Sequence, residues 1–162
     1  MARVLIVGCG GRGQALAREL RTAGHAVRGT TRSRENFDAI AATGAEPYLG
    51  DPDRIATLMD GLVATTIVCW LLGSAAGDGA RDLHDGRLRM LCEKVVDTPV
   101  RGLVYEAAGS LPGEWLEHGA GIVRTASETW NIPVELVATA PGERERWTVD
   151  MVAAVATLLQ SP

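Results

Sequence analysis

A run of aliphatic residues at 4–7 leads without interruption into Gly8-Cys9-Gly10-Gly11-Arg12-Gly13, and an amphipathic stretch carrying Ala15, Leu16 and Leu20 follows at once. An apolar run with no polar alternation is how a parallel strand covered on both faces reads. Ala15, Leu16 and Leu20 lie on one face of a helix predicted over residues 14–23, and Gly24 stops it. A short second strand over 26–30 then returns at the spacing of a strand–helix–strand unit. This order fixes the expected fold class as α/β.

The rest of the chain repeats the rhythm. A helix is expected over 35–42, a third strand over 47–49, and a helix opened by Asp51-Pro52 that runs to Leu62. A strongly buried fourth strand over 65–71 precedes a Gly- and Asp-rich loop at 73–79 and a helix over 80–95. A fifth strand over 100–105, a helix over 114–130, a sixth strand over 134–138 and a last helix over 148–160 complete the series. The charge run Glu143-Arg-Glu-Arg146 reads as a solvated connection. Alternation of this kind predicts a doubly wound, mostly parallel Rossmann sheet with helices on both faces and strand order 3-2-1-4-5-6. Its ligand crevice would open at the carboxyl ends of strands one and four. No repeat or linker divides residues 1–162, so one domain is expected.

Composition narrows the function classes. Hydrophobic residues make up 46% and charged residues 22%, ordinary for a globular chain. A net charge of −4 argues against nucleic acid as a partner, because that affinity comes from clustered cations releasing counterions. The longest apolar stretch, around Leu62 to Leu72, is too short to span a bilayer, so no membrane role is expected. Met1 moves straight into a buried strand, which predicts a cytoplasmic protein. Cys9, Cys69 and Cys92 are odd in number and widely spaced, so reduced thiols are expected, with neither a disulfide framework nor a metal site.

The glycines at 8, 10 and 13 fit G-x-G-x-x-G in the context that gives the pattern its meaning. Gly8 would allow the tight turn, Gly10 would let a pyrophosphate approach the backbone, and Gly13 would let helix pack on strand. Together with Gly11, they place free N–H groups and a positive dipole end toward a diphosphate. Arg12 reads either as a phosphate contact or as an exposed first-turn residue. At the end of the second strand, where a carboxylate would bind the ribose hydroxyls of NAD(H), stand Thr31, Arg32, Ser33 and Arg34. Cations and hydroxyls there suit a 2′-phosphate, which favours NADP(H) over NAD(H).

From Val4 to about Gly73 the chain resembles the cofactor half of an atypical or extended short-chain dehydrogenase/reductase, a group that includes NAD(P)-dependent epimerase/dehydratases and NmrA-like proteins. The matching pieces are the glycine loop, Gly24-His-Ala-Val-Arg-Gly-Thr-Thr-Arg-Ser33, Leu49-Gly-Asp51, and the buried fourth strand with its small-residue loop. The resemblance implies a place by the adenine for Asp51, which would equally cap the helix before Pro52. A weaker likeness runs through Val104-Tyr105, residues 132–137 and residues 147–152. The resemblance implies a substrate portion reduced here to little more than the last helix.

Catalysis in that family uses a Tyr-x-x-x-Lys pair after strand five, and this chain cannot supply one. Tyr48 and Tyr105 are the only tyrosines, and Lys94, the only lysine, precedes strand five. The remaining candidates are Glu106 at the end of strand five, read as a proton-transfer group or a rim carboxylate, Ser110 in the following loop, and His118 on the next helix. Trp70, after strand four, reads as a wall of the cofactor pocket or as core. Two functions follow: an NADP(H)-dependent oxidoreductase or epimerase acting on a small molecule, and an NADP(H)-binding redox sensor or regulatory protein without turnover. A homodimer through Leu88, Met90, Leu91, Val95 and Val96 is expected as well.

Overall fold

The computed structural model describes residues 2–160. Its elements are β1 (Arg3–Val7), α1 (Gly11–Thr22), β2 (Ala26–Thr31), α2 (Phe37–Ala41), β3 (Glu46–Leu49) and α3 (Met59–Leu62). They continue with β4 (Ile67–Trp70), α4 (Gly86–Val95), β5 (Gly102–Glu106), α5 (Gly113–Trp130), β6 (Val134–Val137) and α6 (Arg144–Gln160). The sheet order is β3-β2-β1-β4-β5-β6, as the sequence predicts. Every neighbouring pair is parallel, so the sheet is wholly rather than mostly parallel.

Alternate side chains of each central strand feed different cores, which is why the strands read as unbroken apolar runs. Val4, Ile6, Cys69 and Val104 pack with Leu16 and Leu20 of α1, Ile40 of α2, and Trp147 and Met151 of α6. Leu5, Val7, Val68, Trp70 and Tyr105 pack on the other face with Leu58, Leu62, Leu88, Leu91 and Val123. Fully burying side chains of this size contributes about 1.5–3 kcal/mol each. The two layers therefore hold the carboxyl ends of β1 and β4 rigidly where the crevice opens.

Several boundaries differ from the sequence reading. The helix expected over 51–62 is a turn at Asp51–Arg54, a 3-10 turn at Ile55–Leu58 and the short α3, and Tyr48 Oη, accepting from Gly61 N at 3.1 Å, anchors its end. The helix expected from residue 80 begins in earnest only at Gly86, after a 3-10 turn at Asp82–His84. α6 starts at Arg144, so much of the charge run is its first turn rather than a connection. No helix among the described residues is long and apolar enough to cross a membrane. Leu88, Leu91 and Val95 are buried within the chain, which leaves only Met90 and Val96 of the expected dimer residues exposed.

Candidate functional site

The glycine loop is built by β1, α1 and β2 together. Thr30 Oγ1 accepts from Gly8 N at 3.1 Å and Thr30 O accepts from Cys9 N at 3.1 Å, so β2 pins the loop to the sheet. Gly8 sits at φ +90°, where a side chain would be strained and a Cβ would lie 2.6 Å from Leu71 O. Gly10 is different: its φ of −84° suits any residue, and a Cβ there would meet no atom within 4 Å. Folding does not demand glycine at that position. α1 begins at Gly11 and Gln14 N is the first to find a carbonyl, Gly10 O at 2.8 Å. The N–H groups of Gly11, Arg12 and Gly13 are thus the orphan donors of a helix start.

A crevice of about 390 Å³ opens over this loop, within the range of small-molecule sites. Gly8, Gly10, Gly11, Arg12, Gly13, Thr31, Arg32 and Asp51 all line it, and so does Asn36, which sequence reasoning missed. Asn36 Nδ2 donates to Thr31 Oγ1 at 3.0 Å, so it also fixes the end of β2. Arg32 is exposed at the crevice edge. Ser33 and Arg34 lie outside the lining: Ser33 Oγ caps the following turn by accepting from Glu35 N at 3.3 Å, and the Arg34 guanidinium stacks on Phe37 at 5.5 Å. Asp51 Oδ1 accepts from Asp53 N at 2.9 Å, the turn-capping role, while its carboxylate remains at the crevice wall.

The remaining predicted residues go elsewhere. Trp70 is fully buried and its indole donates to Leu83 O at 3.0 Å, so it is core and not cofactor wall. The Arg12 side chain turns inward rather than into solvent: its guanidinium donates to both oxygens of Glu106, at 3.1 and 3.3 Å, and stands over Trp147 at 5.7 Å, while the residue still lines the crevice. Glu106 is no rim carboxylate either. It is fully buried and also accepts from Gly73 N at 2.8 Å and Trp147 Nε1 at 3.0 Å. Burial pushes its carboxyl above the usual range, although Arg12 and these donors pull the other way. Ser110 is exposed, its N–H held by Ser74 Oγ at 3.0 Å, and His118 Nε2 pairs on the surface with Asp85 at 2.9 Å. Neither touches the crevice.

His84, which has no sequence companion, turns out to be partnered on both sides. Leu72 O, 2.7 Å from Nε2, can only accept, so Nε2 carries the proton and Nδ1 accepts from Tyr105 Oη at 2.6 Å. Burial lowers the His84 pKa and raises that of Tyr105. The Cys9 thiol in the loop is likewise pushed up to about 12 by burial, which leaves it unreactive.

This is the Rossmann-type class of open α/β sheet, with a glycine loop where strand order reverses. No family model and no curated protein matches the chain. Among solved structures it is similar to BdcA (YjgI) from E. coli, at 19% identity over 94% of this chain and 88% of that one, with a TM-score of 0.72. It is similar as well to a putative NAD-dependent epimerase/dehydratase from Bacillus halodurans, at 15% identity over 87% and 71% of the two chains, TM-score 0.70. A third is the Citrobacter sp. triphenylmethane reductase complexed with NADP(H), at 16% identity, TM-score 0.60, with 83% of this chain covering 48% of that one. At such identities the likeness shows the shared fold.

Proposed function

We propose that the chain binds NADP(H) in the crevice over Gly8–Gly13, as an oxidoreductase-like protein of the atypical short-chain dehydrogenase/reductase type. The observation that carries this reading is Gly10, a glycine that the backbone does not require, facing open space beside the orphan N–H groups of α1. Gly11, Arg12 and Gly13 would hold the pyrophosphate through their backbone, Asp51 would stand by the adenine, and Arg32 would take the 2′-phosphate. The bound cofactor would supply hydride donor or acceptor capacity. A small-molecule substrate and a homodimer that uses Met90 and Val96 belong to the same reading.

A second use of the same site, holding the cofactor as a sensor or regulatory protein, is favoured by a specific observation. Tyr105 and Glu106, at the end of β5, are both fully buried and committed to internal partners. Paired titration of NADPH and NADH tests the cofactor reading common to both uses. One well-placed Arg hydrogen bond to a charged group contributes about 1.5–3 kcal/mol, a preference for NADPH of roughly ten- to a hundredfold. Arg32→Ala should remove most of that preference, and Arg34→Ala little of it. Equal affinities in the wild type would overturn the assignment.

A further inference from the structure

A sheet of this order is two mononucleotide-binding halves, and a dinucleotide normally lies across both. Here the lining of the crevice runs from Gly8 to Leu83 and takes nothing from β5, β6, α5 or α6. The carboxyl end of β5, on the side where the second mononucleotide would rest, is covered by the chain itself. The loop after β4 and the loop after β5 are laced together: Leu111 N donates to Gly73 O at 3.1 Å, Ser110 N to Ser74 Oγ at 3.0 Å, and Gly73 N to Glu106 Oε1 at 2.8 Å. They approach so closely that a Cβ on Gly73 would lie 2.2 Å from Ala108 O. Beneath them, Glu106 is sealed in by Arg12 of α1 and Trp147 of α6.

We infer that the crevice recognises its ligand through the adenosine 2′-phosphate 5′-diphosphate half, and that the nicotinamide ring lies over the laced loops at 73–74 and 108–111 with no group of β5, β6, α5 or α6 to grip it. The inference rests on the cofactor reading above and deepens it. Its consequence is a site that reads the size of the NADP pool and not its redox state. NADP+ and NADPH differ by one charge and by the shape of a ring, and a ring in water has its charge screened within about 8 Å at physiological ionic strength. The ligand class is therefore any nucleotide that carries the 2′-phospho-ADP group.

Isothermal calorimetry on the full chain with NADP+, NADPH and 2′-phospho-ADP-ribose, and on Gly10→Val as the control for the crevice, tests this directly. The three affinities should fall within about threefold of one another, and Gly10→Val should lose all three alike. A preference of about tenfold or more for NADPH over NADP+, or for either dinucleotide over 2′-phospho-ADP-ribose, would overturn the inference and leave the cofactor reading standing. Failure of all three to bind the wild type would remove both together.

Discussion

Replacing Glu106 with alanine removes the group that joins three elements beneath the glycine loop. The carboxylate has no exposure, and the change strips Arg12 of its ion pair, Gly73 N of an acceptor at 2.8 Å and Trp147 Nε1 of one at 3.0 Å. Breaking a buried pair by deleting one partner costs about 3–5 kcal/mol, and each orphaned buried donor about 1–3 kcal/mol where nothing relaxes. These costs do not add, because the Arg12 side chain is 25% exposed and part of its charge can rehydrate. A net loss of about 3–5 kcal/mol is expected, which for a chain of this length lowers Tm by roughly 10 °C. Glu106→Gln keeps the shape and should cost about 1–3 kcal/mol, since its amide must face a donor. Because burial raises the folded pKa, the carboxyl's own contribution is complete at acid pH and is lost as pH rises through that value. The gap between wild type and Glu106→Gln should therefore widen as pH falls. Urea and thermal melts followed by circular dichroism measure all of this. A loss below about 0.5 kcal/mol for Glu106→Ala would refute the reasoning.

His84 and Tyr105 supply two more predictions. The His84 pKa is lowered from 6.5, so the stability of its neutral form is complete above that value and shrinks as pH falls toward the depressed one. Urea midpoints should decline below about pH 6.5 in the wild type and less steeply in His84→Gln; parallel declines would contradict the assignment. Tyr105→Phe leaves His84 Nδ1 without its donor and should cost about 1–3 kcal/mol, while NADPH affinity and any turnover survive. A large fall in turnover with binding preserved would show Tyr105 acting as a proton donor.

Topology was legible because β1 and β4 are apolar on both faces and positions such as Gly24, at φ +93°, punctuate the strand–helix rhythm. The glycine loop was legible because its geometry is local: strand, turn and helix start are consecutive. The segments at 51–62 and 80–85 were not, since their 3-10 turns are held by tertiary bonds such as Tyr48 Oη donating to Thr57 O and Trp70 Nε1 donating to Leu83 O. Arg12 and Glu106 lie 94 positions apart, and His84 and Tyr105 lie 21 apart, so no spacing pattern announces either pair. Trp70 was ambiguous for a similar reason. A large aromatic residue at a strand end suits a pocket or a core equally, and only the acceptor at Leu83 O decides.

Gly10→Val tests the central claim most directly. The φ of Gly10 is open to any residue and an added Cβ meets no protein atom within 4 Å, so Tm should shift by no more than a few degrees. The same carbons would occupy the space that a pyrophosphate needs, and NADPH affinity should fall by about a hundredfold or more, ~3 kcal/mol. Calorimetric titration of NADPH into the folded variant beside the wild type gives the answer. Wild-type binding that disappears in Gly10→Val is the predicted result, and a folded variant that binds NADPH as tightly as the wild type would contradict it.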